Sequence, residues 1–301
     1  MKRYIHLNTL FICTLLFVCS SASPKISFNE QNAFEYLEKQ CEFGPRNPNS
    51  PGHKACMKFL INEVKKFTQE VIVQEFNHFD PKTKKTLHLS NIIGVFPSIK
   101  QQTARKILCA HWDTRPMADK DKEPEHRSRP ILGANDGASG IAVLLEICRI
   151  MSKNPPPVTI DVVFFDGEDY GEEGDLSQYF IGSRYFSKNL PFKNYKCAVL
   201  LDMIGDKDLQ IQREAYSHYY FPDLVTDIWN RAAKLGIRQF NNNVNGEILD
   251  DHRMLIEAGI PAIDIIDFNY KYWHTIEDTP DKCSPQSLKA VGDVIVDYIY
   301  N

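Results

Sequence analysis

Residues 133–169 read GANDGASGIAVLLEICRIMSKNPPPVTIDVVFFDGED, and this stretch indicates the fold class. Its first part carries apolar residues at helical spacing and stops at Lys153, Asn154 and a Pro-Pro-Pro run, which predicts an amphipathic helix. The run IDVVFFD at 160–166 is almost continuously apolar, as expected of a strand covered on both faces. A helix followed by a buried strand is typical of an α/β protein. The apolar helical positions are Ile141, Leu144, Leu145, Cys148 and Met151.

The same pattern extends outward along the chain. Short β-rich runs recur at 106–111, 197–204 and 260–267. Ser50 as N-cap and Pro51 at the first helical position predict an earlier helix, and a last helix is expected at about 284–300. No linker divides the body of the chain. We therefore predict a single domain at 23–301, with three layers (α/β/α) around a mostly parallel or mixed central sheet.

The N-terminal residues have the pattern of a secretory signal. Two basic residues precede an apolar run at 10–19, and small residues follow it. That run is too short to cross a hydrocarbon core of about 30 Å. We expect 1–22 to be a signal peptide of an exported protein, secreted or periplasmic, without a transmembrane segment; a buried N-terminal helix is the alternative. Lipid anchoring at Cys19 is disfavoured because the preceding Phe and Val are bulky.

Composition excludes several classes of protein. The 301 residues include 35 basic and 39 acidic side chains and are 43% hydrophobic, which is ordinary for a globular protein and excludes disorder. A formal charge of −4 without a dense Lys/Arg stripe argues against nucleic acid as a partner. No CxxC motif is present, so a zinc ribbon is excluded. Cys109, Cys148 and Cys197 lie inside apolar runs and are expected to be buried thiols.

Acidic and histidine residues follow the predicted strands, where sites form in open α/β sheets. Taken singly, each has a structural explanation, such as an N-cap, an interior histidine or a loop charge. Taken together, they place several acids side by side in a low dielectric, which requires a cation or shared protons. The motifs are His111-Trp112-Asp113, Gly133-Ala134-Asn135-Asp136, Asp166-Gly167-Glu168-Asp169, Asp202, Asp250-Asp251-His252 and Trp273-His274-Thr275.

We expect that cation to be zinc, with one ion per chain. Two oxygen ligands and one imidazole leave a fourth tetrahedral position open for water or a substrate carbonyl, which is the arrangement of a catalytic site. Soft ligands are missing, which argues against copper(I) and iron–sulfur clusters. Calcium would require more oxygen ligands and no imidazole.

In this order, the motifs resemble those of the glutaminyl-peptide cyclotransferases, which are relatives of the zinc aminopeptidases. The match is colinear from the helix near Pro45 to the C-terminus. The resemblance implies that zinc is bound by Asp136, Asp169 and His274, and that Glu168 is the general acid/base. One departure is that the animal cyclases have Glu-Glu at the acidic pair, where this chain has Glu followed by the shorter Asp.

The resemblance also implies roles for residues around the zinc. Asp202 and Asp251 match two further acids of the cyclase hydrogen-bond network. Trp273 matches the aromatic wall against which the substrate side chain lies. His111 resembles the histidine that holds a second metal in the aminopeptidases, and Asp113 is the carboxylate expected to orient it.

The implied activity is that of a glutaminyl-peptide cyclotransferase, an acyltransferase acting on peptides and proteins with N-terminal glutamine. The α-amine of that glutamine attacks its own γ-carboxamide, releasing ammonia and leaving pyroglutamate. Zinc would polarise the γ-carbonyl. Glu168 would take a proton from the attacking nitrogen and return it to the leaving amide, which requires a raised pKa.

The rival interpretation is a secreted aminopeptidase with two zinc ions. His111, Asp136 and Asp202 would then complete a second metal site, and the same general base would activate water. The position of Trp273 and the motif at 250–252 favour the cyclase. A binding domain that has lost its metal is disfavoured because every ligand position is filled.

Overall fold

A computed structural model of the chain describes Met1 and residues 26–100 and 103–301. Apart from Met1, the predicted signal peptide at 1–22 lies outside these residues. The helices are α1 (Glu30–Glu42), α2 (Pro51–Phe67), α3 (Ala138–Lys153), α4 (Ile181–Lys188), α5 (Ala215–Tyr220), α6 (Pro222–Leu235), α7 (Asp251–Glu257) and α8 (Pro285–Tyr300). The strands are β1 (Glu70–Asp80), β2 (Lys85–Phe96), β3 (Arg105–His111), β4 (Thr159–Phe165), β5 (Tyr195–Asp202), β6 (Ile211–Arg213), β7 (Phe240–Val244) and β8 (Ala262–Ile266).

Six strands form a central mixed sheet in the order β1-β2-β4-β3-β5-β8. Strands β4, β3, β5 and β8 are parallel to one another, whereas β2 pairs antiparallel with both β1 and β4. Strands β6 and β7 form a separate small pair. The predicted α/β class with a mixed sheet is confirmed. Because β3, β4, β5 and β8 are parallel, their carboxyl ends lie along one edge of the sheet.

Helices cover both faces of the central sheet. Along β3, Leu108 and Ala110 pack into a core with α1, α2, α3, α6 and α8. Ile107 and Cys109 point to the opposite face, where they pack with α4 and α7. Alternate side chains of a strand point to opposite faces, so β3 is apolar throughout because both faces are buried. The three-layer arrangement follows from this pattern.

Helix α3 lies directly on the sheet through a glycine contact. A Cβ atom at Gly140 would lie 2.3 Å from the Leu201 backbone oxygen and 2.8 Å from the Ala110 Cβ atom. Only glycine therefore permits this approach. The close contact fixes the start of α3 beside the carboxyl ends of β3 and β5, where the polar motifs lie.

The predicted helices and strands are present, with ends displaced by at most a few residues. The Ser50 hydroxyl accepts from the His53 amide at 3.0 Å, and the Ser284 hydroxyl accepts from the Ser287 amide at 3.1 Å. Both serines are therefore N-caps of their helices. The long β1–β2 hairpin was not predicted. Within the described part of the chain, no helix combines the length and apolar character required to cross a membrane.

Two of the three thiols that were predicted to be buried are completely enclosed. Cys109 and Cys148 have no exposed surface. Cys197 is only partly buried, and its sulfur lies 3.1 Å from the Tyr298 hydroxyl. Burial raises the pKa of Cys148 and Cys109, which makes both thiols poor nucleophiles.

Candidate active site

The polar motifs converge on one edge of the central sheet. His111 and Asp202 are the last residues of β3 and β5, the acidic pair follows β4, and His274 lies in the loop between β8 and α8. A cavity of about 320 Å³ opens at this edge. Its polar and aromatic wall includes Asp136, Glu168, Asp169, Asp202, Asp250, Trp273 and His274. Most of the residues predicted from sequence are therefore brought together.

Asp136, Asp169 and His274, the predicted zinc ligands, form a compact buried group. The His274 Nε2 atom lies 3.3 Å from Asp169 Oδ2 and 3.6 Å from Asp136 Oδ2. In a tetrahedral site with zinc bonds of about 2.0–2.1 Å, neighbouring ligand atoms lie roughly 3.3–3.4 Å apart. Asp169 Oδ2 is buried without a hydrogen-bond partner. The donor set and its spacing therefore fit a zinc ion.

Buried polar residues hold two of these ligands in place. Arg115 donates to Asp169 Oδ1 at 2.8 Å. The Asp278 carboxylate accepts from the backbone amides of Asn135 at 2.8 Å and Asp136 at 3.2 Å. Since outer hydrogen bonds orient metal ligands and tune their affinity, both residues are placed to orient the predicted zinc ligands.

The charges around His274 and Asp169 couple metal binding to the release of a proton. Burial alone would lower the pKa of His274, but the carboxylates of Asp169 and then Asp119 raise it to about 9. Burial would raise the pKa of Asp169, yet His274 and Arg115 lower it. Without metal, His274 is therefore protonated at neutral pH beside an ionised carboxylate. A metal ion requires the neutral imidazole, so binding must release this proton.

His111, Asp136 and Asp202 form a second buried group, which shares Asp136 with the first. His111 Nε2 lies 3.2 Å from both Asp136 Oδ1 and Asp202 Oδ1, which is also a spacing that suits zinc. Burial disfavours the charged imidazole, but the neighbouring carboxylates of Asp113, Asp136 and Asp202 raise the pKa of His111 well above its usual range. The two carboxylates can thus be neutralised by a protonated imidazole or by a second cation.

Glu168 lies at the cavity with its backbone fixed. Its amide donates to Asp113 Oδ1 at 3.0 Å, and the next amide, of Asp169, donates to Oδ2 at 3.3 Å. Burial, followed by repulsion from Asp169 and Asp250, raises the pKa of Glu168 well above its usual range. A carboxyl group of raised pKa that faces a cavity is suited to accept and return a proton.

The structure separates the adjacent acids at the start of α7. Asp250 lines the cavity, whereas the predicted network residue Asp251 lies behind the wall, fully buried, where it accepts from the Ser183 hydroxyl at 2.5 Å. Burial raises the pKa of Asp251 to about 7. Asp250 is the N-cap of α7, and its carboxylate accepts from the Asp251 amide. The cavity-facing acid of this pair is therefore Asp250.

Behind Asp250 lies a further buried group, with His252 and Asp264. His252 Nδ1 is 3.9 Å from Asp264 Oδ2, which is longer than the spacing of neighbouring zinc ligands. Burial and then the charge of Asp250 raise the pKa of Asp264 well above its usual range. Burial beside another acid therefore favours the protonated form of Asp264.

Trp273 provides an apolar wall beside the zinc group. Its ring stacks on His274 with centroids 3.9 Å apart and planes 30° apart. The Phe268 ring lies 5.1 Å from it, with the two planes tilted by 55°. The indole lines the cavity next to the predicted ligand His274, and its role as a substrate wall stays a prediction.

The profile of the family described as "Peptidase family M28" matches residues 91–299, which include all the predicted site residues. The chain belongs to peptidase family M28. A glutaminyl cyclase from Bacteroides thetaiotaomicron, solved with N-acetylhistamine, is 36% identical, with a TM-score of 0.86 over 91% of this chain and 98% of that chain. A Zn-dependent exopeptidase from Parabacteroides distasonis is also 36% identical, with a TM-score of 0.87 over 91% and 99%. Bovine glutaminyl-peptide cyclotransferase is 21% identical over 83% of this chain and 76% of that protein. The predicted resemblance is confirmed.

In this M28 chain, sequence reasoning missed the residues that support the ligands. Arg115 lies two positions after Asp113, and Asp278 lies four positions after His274. Both lie a few positions beyond a predicted motif, and a charged residue so close to the motif was the available signal. Asp119, which pairs with Arg115 at 2.7 Å, was missed for the same reason.

Proposed function

We propose that this M28 chain is a zinc-dependent glutaminyl-peptide cyclotransferase, which converts N-terminal glutamine of peptides and proteins to pyroglutamate and releases ammonia. The observation that carries the proposal is the stacking of Trp273 on the zinc ligand His274, beside Glu168, in a small cavity. Cyclisation is intramolecular, so the enzyme has mainly to hold glutamine in a folded conformation. A flat wall beside the metal group is suited to that task.

Zinc would be held by Asp136, Asp169 and His274. When bound, it supplies a Lewis acid that polarises the γ-carbonyl of the substrate. Arg115 and Asp278 keep the two carboxylate ligands in position through the buried hydrogen bonds described above. One ion per chain is proposed, with protonated His111 between Asp136 and Asp202 instead of a second ion.

Glu168 carries the proton in the proposed reaction. A bond forms between the α-nitrogen of glutamine and the carbonyl carbon of its γ-carboxamide, and the bond from that carbon to the amide nitrogen breaks. The proton lost by the attacking nitrogen passes to Glu168 and then to the departing nitrogen, which leaves as ammonia. Asp202 and Asp250 line the same cavity and can accept hydrogen bonds from the substrate amine, with Asp251 supporting the wall from behind.

An aminopeptidase with two zinc ions is the second candidate. The group of His111, Asp136 and Asp202 supports it, because its 3.2 Å spacings are compatible with a second ion. A solved structure titled as a leucine aminopeptidase precursor, from Bacteroides thetaiotaomicron, has a TM-score of 0.86 with this chain. In that case Glu168 would activate water instead of the substrate amine.

Activity assays with two substrates, together with measurement of bound zinc, distinguish the cyclase from the aminopeptidase. Purified chain is incubated with a Gln-peptide and with Leu-amide, and ammonia, pyroglutamyl product, free leucine and bound zinc are measured. Cyclisation with one zinc per chain supports the proposal. Release of leucine with two zinc ions, and no cyclisation, overturns it in favour of the aminopeptidase.

We further propose that residues 23–301 form one catalytic unit that is exported after removal of 1–22. The signal-like pattern of the N-terminus supports export, and the net acidic charge is consistent with peptides, not nucleic acid, as partners. Mass spectrometry of the mature N-terminus in the producing cell tests this. A start at position 23 or nearby supports it, whereas a chain that retains Met1 or starts with a lipidated Cys19 contradicts it.

A further inference from the structure

The two ring nitrogens of His274 have different surroundings. The Nε2 atom lies near the carboxylates of Asp136 and Asp169, the other proposed zinc ligands. The Nδ1 atom is buried and has no hydrogen-bond partner among the residues that the structure describes. An oxygen of Asp119, Oδ1, lies 3.5 Å from it. A buried polar atom without a partner is costly, so this nitrogen and the nearby carboxylate call for a common explanation.

The loop that carries Asp119 is attached to the segment of His274 through the main chain. The amide of Lys120 donates to the His274 carbonyl oxygen at 3.2 Å. The amide of Ile276 donates to Asp121 Oδ2 at 3.1 Å. Neither hydrogen bond involves the side chain at position 119. A substitution of Asp119 therefore removes its carboxylate without removing the contacts that hold the loop beside the histidine.

Arg115 fixes the orientation of the Asp119 carboxylate. Its Nε and Nη2 atoms donate to the two oxygens of Asp119 at 2.7 Å and 2.9 Å. Its Nη1 atom donates to Asp169 Oδ1 at 2.8 Å. A bidentate pair between arginine and a carboxylate defines the geometry more strictly than a single contact does. One buried guanidinium thus holds a proposed zinc ligand and also the carboxylate that lies next to another ligand, His274.

We propose that Asp119 is a positioning residue for zinc, which accepts the Nδ1 proton of His274 and so directs Nε2 at the metal. A histidine that binds a metal almost always donates its other ring N–H to a carboxylate, a carbonyl oxygen or water, and this contact fixes the tautomer and strengthens the ligand. Hydrogen bonds of a site are often long before its ligand binds, which is consistent with the 3.5 Å separation. This rests on the zinc ligands of the proposed function, but not on which reaction the zinc serves.

The first test measures zinc affinity by chelator competition at constant pH. Asp119→Ala removes the acceptor and should weaken zinc binding about 10- to 100-fold. Asp119→Asn should weaken it by a smaller factor, because its amide oxygen can still accept the proton; it also preserves the side-chain volume if the alanine variant does not fold. Glu123→Gln is the matched control, since Glu123 is an exposed acid of the same loop and does not line the catalytic cavity.

A second measurement separates positioning from a general structural role. NMR of the zinc-loaded protein with ¹⁵N-labelled histidine observes the Nδ1 proton of His274 directly. A buried proton held in a hydrogen bond exchanges slowly with water, so we expect a protected signal in the wild type and in Glu123→Gln, and its loss in Asp119→Ala. Excess zinc should restore most of the activity of Asp119→Ala, because the general acid/base is retained, whereas a misfolded enzyme would not be rescued by metal.

The outcomes are distinguishable from failure of the proposed function. Zinc affinities of both Asp119 variants equal to that of Glu123→Gln overturn the positioning role and leave the cyclase intact. So does a protected Nδ1 proton that persists in Asp119→Ala. If the wild type binds zinc but cyclises no Gln-peptide, the cyclase proposal is wrong, and the affinity comparison still decides the role of Asp119. If the wild type binds no zinc, the ligand assignment is wrong and the positioning role falls with it.

Discussion

Replacement of Glu168 by Gln tests the proton transfer without changing the shape of the site. The amide has nearly the same size as the carboxyl group but cannot accept a proton from an amine. The backbone at this position is held by Asp113 through its amide, and that contact does not involve the side chain. The proposed zinc ligands Asp136, Asp169 and His274 are unchanged. We therefore expect Glu168→Gln to fold, to bind zinc and to lose activity.

The size of the loss follows from the role of the residue. A positioned general acid/base contributes roughly 10²- to 10⁴-fold to a rate. At 1.36 kcal/mol per factor of ten, this is about 2.7–5.4 kcal/mol of transition-state stabilisation. The lower end applies if Asp250, on the same cavity wall, takes over part of the proton transfer. Stabilisation by the metal and by Trp273 remains, so the variant should stay faster than the uncatalysed reaction.

The assay couples ammonia release to a spectroscopic signal and measures zinc on the same sample. Glu173→Gln is the matched control, because Glu173 is an exposed acid of the same loop that pairs with Lys120 at 2.9 Å. Such exposed pairs contribute about 0–1 kcal/mol to stability, so the control should retain activity and zinc. A Glu168→Gln enzyme within tenfold of wild type refutes the acid/base assignment. Loss of zinc would instead mean that the acidic pair is assigned in reverse.

Four further outcomes are expected. Trp273→Ala should lower kcat/KM for Gln-peptides roughly 10- to 100-fold in steady-state kinetics, with zinc retained, because the substrate loses its wall. Arg115→Met should weaken zinc binding about 10- to 100-fold in chelator competition, because a ligand carboxylate loses its ion pair. Zinc affinity of the apoprotein should rise with pH between about 6 and 8 in calorimetric titrations, because His274, with a pKa of about 9, must release a proton. Gly140→Ala should lower the free energy of unfolding by about 1–3 kcal/mol in urea, whereas Gly246→Ala, whose Cβ would meet nothing within 4 Å, should not.

Each of these four predictions would be contradicted by a specific result. Unchanged kinetics after the Trp273 substitution would remove the wall from the mechanism. Unchanged zinc affinity without Arg115 would reduce it to a structural role, and a zinc affinity that is independent of pH would show that His274 is neutral in the apoprotein. Equal stability of the two glycine variants would mean that the contact between α3 and β5 relaxes without cost.

Local sequence signals were sufficient for the elements that carry the site. Ser50 and Ser284 mark helix starts because their side chains cap amides within a few residues, and the buried strands are recognisable as short apolar runs. The β1–β2 hairpin was missed because β1 is half exposed, so its polar and apolar residues do not form a continuous apolar run. Its place in the sheet depends on pairing with β4, which is a non-local contact.

The site was predictable to the level of motifs but not to that of individual atoms. Asp250 and Asp251 are adjacent, and which of them faces the cavity depends on where α7 begins; Asp250 is the extended N-cap and Asp251 is already helical. The roles of Arg115 and Asp278 depend on contacts with residues far away in sequence, such as Asn135. Periodicity and spacing contain no information about such contacts.

The segment from His274 to Asp278 combines two functions that are usually separate. At one end it supplies the proposed imidazole ligand, and at the other it anchors the loop before α3 that carries Asp136. Tyr270 secures it further, donating to Asp278 at 2.8 Å. A protein engineer who moves this zinc centre into another α/β scaffold would therefore have to transplant the whole peptide and its partner loop. Grafting the ligand side chains alone would leave the first carboxylate without its anchor.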